Sequence, residues 1–501
     1  MFTFSLFGQV QIGKDINGER LWDNCGSSVS ISDDGSIMAV GSPYGEVPHI
    51  DARLPRSAGH VRVYRREPPA PSNGYVGWVQ IGRNISGDDH NDKFGRSVSL
   101  SGDGSTVAIG APENNGNGSA AGHVRVYRRE PPAPSNGYVG WVQIGRNIDG
   151  DANDYSGCSV SLSSDGSTVA IAARGLRQGG KLEGYVRVYK NIGGTWTQEG
   201  SDIDAVIGLG HSVSLSSDGS TVAIGTLVPV HQSSEGDVRV YKNISGTWTQ
   251  EGSDIDVEAL SASGGWSVSL SSDGSTVAIG SPYDGYSDTG NYNIGYVSIY
   301  ENISGNWTQV GSDIAGEYVV GGWCGHSVSL SADGSVVAIG APKNIGNYVT
   351  NSPAGSARIY KNTSGTWTQV GKDIDGTELG GDFGGSVSLS GDGSTVVIGD
   401  VSGKSRRGYA EVYSTGINNA GVTEIKSEFT IYPNPASDEL NIKIESNLLG
   451  SQFRIINTLG QEVKQGELSN LNSTIDLSKL PKGSYNMLIG TENYSHPFLV
   501  E

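Results

Sequence analysis

The stretch SVSLSGDGSTVAIG, Ser97 to Gly110, decides the fold, because near-copies of it recur along the whole chain. Seven copies begin at Ser28, Ser97, Ser159, Ser212, Ser267, Ser327 and Ser386, at intervals of 69, 62, 53, 55, 60 and 59 residues. A period of that size built from strand-like units marks a repeat architecture in which no single unit buries both its faces. Each copy reads as a hairpin: two β-branched, period-two runs flank Asp-Gly, a strong short signal for a two-residue turn with a left-handed backbone pair. The Asp residues at these turns (Asp34, Asp103, Asp165, Asp218, Asp273, Asp333, Asp392) read as turn chemistry. One carboxylate per turn is too few for a calcium loop, so no cofactor is expected.

Working outward, each hairpin is followed by a variable loop and a third strand of the Gly-His-Val-Arg-Val-Tyr type, at Gly59, Gly122, Gly184, Gly236, Gly295, Gly355 and Gly408. A fourth strand opening on Trp78, Trp141, Trp196, Trp248, Trp307 or Trp367 follows six of the seven. The missing one lies at the other end of the chain, where Val10–Ile16 matches Val79–Ile85 in register, with Gln9 in the Trp position. A ring of four-stranded units removes its open edge when the two chain ends share a unit. The expectation is an all-β fold: a seven-bladed β-propeller over residues 9–413, closed by the N-terminal strand, with the six Trp residues as packing pegs. Residues 58–85 and 121–148 are identical, which a recent blade duplication explains.

Residues 414–428 read as a linker, and 429–501 as a small immunoglobulin-like β-sandwich of short alternating strands. The first eight residues, MFTFSLFG, read as a signal-peptide remnant with cleavage before Gln9. No stretch approaches the ~20 apolar residues of a membrane-spanning helix. A net charge of -19 disfavours nucleic acid and anionic membrane surfaces, and no basic run offsets it. The three cysteines imply no disulfide framework.

Phe94-Gly95, the hairpin, and Gly110-Ala111-Pro112 together resemble the FG-GAP repeat of integrin alpha-subunit propellers and many bacterial surface proteins. Gly41 to Pro43, Gly280 to Pro282, Gly340 to Pro342 and Phe383-Gly384 keep parts of the same pattern. Calcium-binding members of that family carry several acidic residues in the hairpin, which these blades do not. The C-terminal segment resembles a type IX secretion system sorting domain, through Tyr432-Pro433-Asn434-Pro435, Gly460 within Leu459–Val463, and Gly483 and Tyr485 within Pro481–Tyr485. That resemblance implies the type IX machinery as a partner, and release or display at the outer cell surface.

Blade-to-blade connections and the loops between second and third strands fall on one face, and both short hairpins on the other. Recognition residues are usually carried on such unlike loops over a rigid scaffold. The aromatic residues Trp22, Tyr44, Tyr283, Tyr286, Tyr292, Trp323 and Tyr348 lie there and are the candidate ligand contacts, since exposed rings suit glycan or protein surfaces. One residue precedes each inner strand, namely Ser27, Arg96, Cys158, His211, Trp266, His326 and Gly385, and these read as a polar ring at the channel mouth. No nucleophile elbow, zinc signature or phosphate loop occurs, so no catalytic residue is assigned and a non-enzymatic protein is expected. The function read from the sequence is a secreted or surface-displayed binding or adhesion propeller for an unknown glycan or protein. An extracellular polysaccharide-acting enzyme and a structural surface protein are the alternatives.

Overall fold

The copies of the hairpin form the two innermost strands of seven separate antiparallel sheets. A computed structural model describes the chain apart from residues 1–8, 47–56, 68–76, 131–139, 178–180, 183, 205–208, 227–236, 258–263, 284–292, 318–320, 346–352, 418–428, 433–435, 445–448, 458–461, 490–493 and 501. In blade two, strands Ser97–Leu100, Thr106–Ala111, His123–Arg129 and Trp141–Gln143 pair consecutively from the axis outward. The other six blades repeat that order. Alternation places Val98, Leu100, Val107 and Ile109 in one apolar cluster with Ile37, Val61 and Val63 of blade one. An equivalent cluster fills every blade interface, including the one between blade seven and blade one, where Val397 and Val412 meet Val29, Ile31 and Val40. The burial that no blade achieves alone is therefore supplied by two neighbours.

Closure occurs as the register predicts. Val10 pairs with Ser414 and Gln11 with Tyr413, so the N-terminal strand is the outer strand of blade seven. Each outer-strand Trp donates its indole N–H to a carbonyl of the preceding blade, at 2.8–3.0 Å. Gln9 does the same with its amide, donating to Val370 O. The sequence-aligned position is thus also the functional substitute.

Every serine of Ser-Val-Ser-Leu-Ser has its own task. The middle one accepts a backbone N–H from the inner strand of the next blade: Leu162 N donates to Ser99 Oγ, and seven such bonds of 2.9–3.1 Å run once around the axis, ending with Ile31 N on Ser388 Oγ. In six blades the first donates to a glycine carbonyl of the next blade, as Ser97 does to Gly157 O at 2.8 Å, while in blade three Ser159 Oγ accepts Val213 N at 3.2 Å. The third accepts Thr106 N and donates to Asp103. One level below, a backbone ring runs Asp33 to Gly102, Ser164, Ser217, Ser272, Ala332 and Gly391, each N–H donating to the next carbonyl at 2.8–2.9 Å, and Asp392 N completes it on Asp33 O at 3.4 Å. The repeated motif is conserved along the chain because it is the seam between blades.

Two local expectations are corrected. The hairpin is not a two-residue turn with two left-handed residues: Gly104 alone has positive φ, Gly104 N donates to Ser101 O, and a four-residue loop links Ser101 to Thr106. The cause is the Asp103 carboxylate, which accepts the Ser105 N–H and the Ser101 hydroxyl and so fixes an ordinary turn before the glycine. Burial alone would raise the Asp103 pKa, but these hydrogen bonds outweigh it and hold the carboxyl below its usual range. The outer strand is also broken in two. After Gln143 the chain bends at Gly145, φ +73, and Ile148–Asp149 returns to pair with the start of the third strand. Gln143 bridging to Asn147, four residues on, ties the bend, and the same Gln-to-Asn/Asp bridge recurs in every blade.

The first compact unit extends to Ile417, with Thr415 and Ile417 buried against blade seven. In the second unit, three strands (Phe429–Tyr432, Glu439–Ile444, Asn472–Asp476) and four (Glu462–Glu467, Gln452–Asn457, Gly483–Ile489, Tyr494–Val500) form two antiparallel sheets. They share a core of Leu440, Ile442, Phe453, Ile455, Leu468 and Met487, which makes this unit a β-sandwich. Its fourth strand pairs with the third, where constant-type immunoglobulin domains place it beside the fifth.

Candidate functional site: the channel mouth on the variable face

Inner strands begin and second strands end on the face of unlike loops, so two circles of side chains surround the channel there. The inner circle is the residue before each inner strand. Its members touch around the axis: Arg96 Nη1 reaches Ser27 Oγ at 3.5 Å, His211 Nδ1 donates to Trp266 O at 2.9 Å, and His326 Nδ1 donates to Gly385 O at 3.1 Å. A carbonyl only accepts, so both imidazoles carry their proton on Nδ1 and present Nε2 as an acceptor.

From blade four to blade six this circle is aromatic rather than merely polar, which corrects the reading from sequence. The His211 ring lies 4.4 Å from Trp266, and Trp266 lies 5.5 Å from His326. Tyr283, two residues past the second strand of blade five, packs edge-on to Trp266 at 4.9 Å and to Trp323 at 5.1 Å. Trp323 stacks on His326 at 6.1 Å. Five rings from three blades thus form one continuous, partly exposed surface.

A second pattern underlies it. The residue following the second-strand exit of one blade meets the residue three before the inner circle of the next. At the junction of blades one and two the pair is Tyr44 with Lys93, whose ammonium sits 3.5 Å from the ring centroid. At blades five and six it is Tyr283 with Trp323, and at blades six and seven it is the ion pair of Lys343 with Asp382. One slot in the repeat therefore holds three different chemistries. Scaffold positions stay constant while the contents vary.

Of the seven aromatic residues picked from the sequence, Tyr283 and Trp323 come together. Trp22, 57% exposed, lies under the Arg406 guanidinium at 4.4 Å, and Tyr44, 43% exposed, under Lys93. Neither makes a ring contact with the blade-five group among the described residues. Tyr286, Tyr292 and Tyr348 lie outside the described residues. Trp266 and His211 were legible as inner-circle residues; the missed signal was that aromatic residues occupy neighbouring slots in adjacent blades. The outer-strand Trp residues are half-buried and each is bonded through its indole N–H to the preceding blade, and Trp367 also lines a rim cleft of about 450 Å³ with Tyr360 and Asp313.

Cationic side chains act on the imidazoles of the mouth. Burial, then Arg174, push the His211 pKa well below 6.5, with Arg96 and His326 adding to the effect. Burial depresses His326 to about 4, with Arg96 and Lys343 contributing. Both imidazoles are therefore neutral acceptors at physiological pH. The Cys158 thiol is pushed up by burial, and its single S–H lies between two acceptors, Ala172 O at 3.4 Å and Gly210 O at 3.3 Å. In blade four, Asp237 and Asp256 stand opposite each other in register; burial first, then the Asp256 and Asp254 charges, push Asp237 up to about 6.

Residues 78–127 match the FG-GAP repeat, running from the outer strand of blade one to the third strand of blade two. The matched segment straddles two blades, the same offset by which the N-terminal strand completes blade seven. Residues 430–497 match the secretion system C-terminal sorting domain. The C-terminal unit is a sorting domain. Within it Tyr432 ends the first strand, Gly483 opens the sixth, and Tyr485 is buried with its hydroxyl donating to Pro481 O at 2.7 Å. Pro433, Asn434, Pro435 and Gly460 lie outside the described residues. The sorting domain makes this propeller a substrate of the type IX secretion machinery, carried to the cell surface or the extracellular space. No curated protein compared with the chain matches it. Among the described residues, no helix is long and apolar enough to cross a membrane.

Proposed function

We propose that this is a non-enzymatic binding propeller, displayed or released outside the cell, which holds a glycan or protein ligand on the aromatic surface at its channel mouth. The observation behind the reading is the contact of His211, Trp266, Tyr283, Trp323 and His326 across three blades on the face whose loops differ most. Aromatic rings of that kind bind by face contact with little ordering cost, because each carries only two torsions. The seams below are rigid, so the rings are pre-organised and less entropy is lost on binding.

A glycan and protein-ligand array probed with the full chain tests this. The expectation is a ligand whose signal falls at least about tenfold in a Trp266→Ala/Trp323→Ala variant of unchanged melting temperature. Binding unaffected by that variant would move the site elsewhere. An acid–base reading has one observation in its favour, the Asp237–Asp256 pair. Loss of polysaccharide viscosity that Asp237→Asn abolishes would favour it.

A further inference from the structure

The mouth is bipartite, and its second half names a ligand class; this inference rests on the mouth being the binding site. Blades four to six supply rings, while blades two and three supply Arg96, on the inner circle itself, and Arg174, just past the second strand of blade three. Both guanidiniums are exposed, and neither forms an ion pair among the described residues. Arg96 holds its place on the inner circle beside Ser27, 3.5 Å from its Nη1, and both guanidiniums lie near enough to act electrostatically on His211 and Cys158, Arg96 on His326 as well. On the ring side Lys343 Nζ sits 5.6 Å from the Trp323 ring. Its charge is offset by Asp382. The arginines at the third position of the third strands are matched to carboxylates, such as Arg125 to Asp88, Arg187 to Asp202, Arg239 to Asp254 and Arg358 to Asp373. In a chain of net charge -19, two exposed guanidiniums without an ion pair among the described residues, set beside an aromatic shelf, give the mouth a local cationic side.

We infer that the channel mouth binds an acidic saccharide, its carboxylates or sulfates on Arg96 and Arg174 and its ring faces on Trp266, Trp323 and Tyr283. Guanidinium matches a carboxylate or sulfate through paired N–H donors, and indole faces suit the C–H faces of pyranose rings. His211 and His326 offer Nε2 as acceptors for sugar hydroxyls. The overall negative charge does not prevent this, since charges farther than a Debye length of about 8–10 Å are largely screened at physiological salt. Glycan is favoured over acidic peptide because the shelf alternates rings with neutral acceptors, which hydroxylated ligands satisfy and peptide carboxylates do not.

The test measures binding of the full chain to oligogalacturonate, to its carboxyl-reduced form and to poly-glutamate, by calorimetry. Wild type should bind oligogalacturonate, lose at least about tenfold on carboxyl reduction or in an Arg96→Glu/Arg174→Glu variant, and weaken as salt rises. Both arginines are exposed, so that variant should melt with wild type. Equal binding of charged and reduced sugars that Trp266→Ala/Trp323→Ala abolishes would overturn the charge inference and leave the binding site standing. Poly-glutamate binding as tightly as the sugar would overturn the saccharide class. Oligogalacturonate binding that neither variant alters would overturn both readings; no binding to any of the three probes would overturn the acidic-saccharide inference alone.

Discussion

Replacing Gln9 with Trp should stabilise the propeller, because blade seven is built to receive an indole that the chain does not supply. Six blades place a half-buried Trp at this position, donating to a carbonyl of the preceding blade, and four of these pack over a glycine: Trp196 over Gly145, Trp248 over Gly200, Trp307 over Gly252, Trp367 over Gly311. The slot is complete at the closing blade. Val370 O is the acceptor, and Gly371, φ +71, lies under the Gln9 amide as the other glycines lie under indole. Since the hydrogen bond is already made, the gain is area alone. A half-buried Trp covers on the order of 100 Å² more apolar surface than Gln, which at roughly 25 cal/mol per Å² gives about 2.5 kcal/mol. Urea denaturation of wild type and Gln9→Trp should show a higher midpoint at unchanged slope. A lower or unmoved midpoint would mean that the slot is not shaped as the repeat implies, and would refute the reasoning from register.

Three further outcomes follow from the same framework. Ser99→Ala leaves the buried Leu162 N–H without its acceptor and should cost about 1–3 kcal/mol, read by the same denaturation. His60 and His123, each 1% exposed, have no hydrogen-bond partner on either ring nitrogen among the described residues, and burial first, then Arg62 or Arg125, push each pKa down to about 4. The unfolded chain takes those protons first, near its ordinary value of 6.5, so stability falls as pH drops from about 6.5 to about 4, by about 3 kcal/mol per imidazole. Glu411 opposes this. Its carboxyl, pushed up to about 7 by burial, takes its proton first in the folded state and adds stability as pH falls from about 7 to about 4.5. A His60→Gln/His123→Gln variant should lose a two-proton slope in stability against pH between 4 and 6.5, and an unaltered slope would contradict the assignment. Removing residues 430–501 should leave the propeller in the periplasm, detected by cell fractionation, and surface delivery of the truncated chain would contradict the sorting role.

The seven copies of Ser-Val-Ser-Leu-Ser made the propeller legible, and the lone match of Val10–Ile16 to Val79–Ile85 made its closure legible, because register survives where residue identity at Gln9 does not. What the serines do was not legible. Their partners, such as Gly157 for Ser97 and Leu162 for Ser99, lie one repeat away and belong to another sheet. Asp-Gly misled about the turn since the motif ignores flanking serines, whose hydroxyls and N–H groups direct the carboxylate. At the mouth, Tyr283 and Trp323 were found from exposure-prone loops, but Trp266 was read as channel lining. That Arg96 and Arg174 act on the same imidazole was invisible too, because the two lie 78 residues apart and on adjacent blades.

The most direct measurement is hydrogen–deuterium exchange of the full chain with and without a saturating acidic oligosaccharide. Protection should appear at the segments around Arg96, His211, Trp266 and Trp323–His326, with the hairpins of the opposite face unchanged. Protection confined to those hairpins, or to the rim cleft beside Trp367, would contradict the assignment of the mouth as the site.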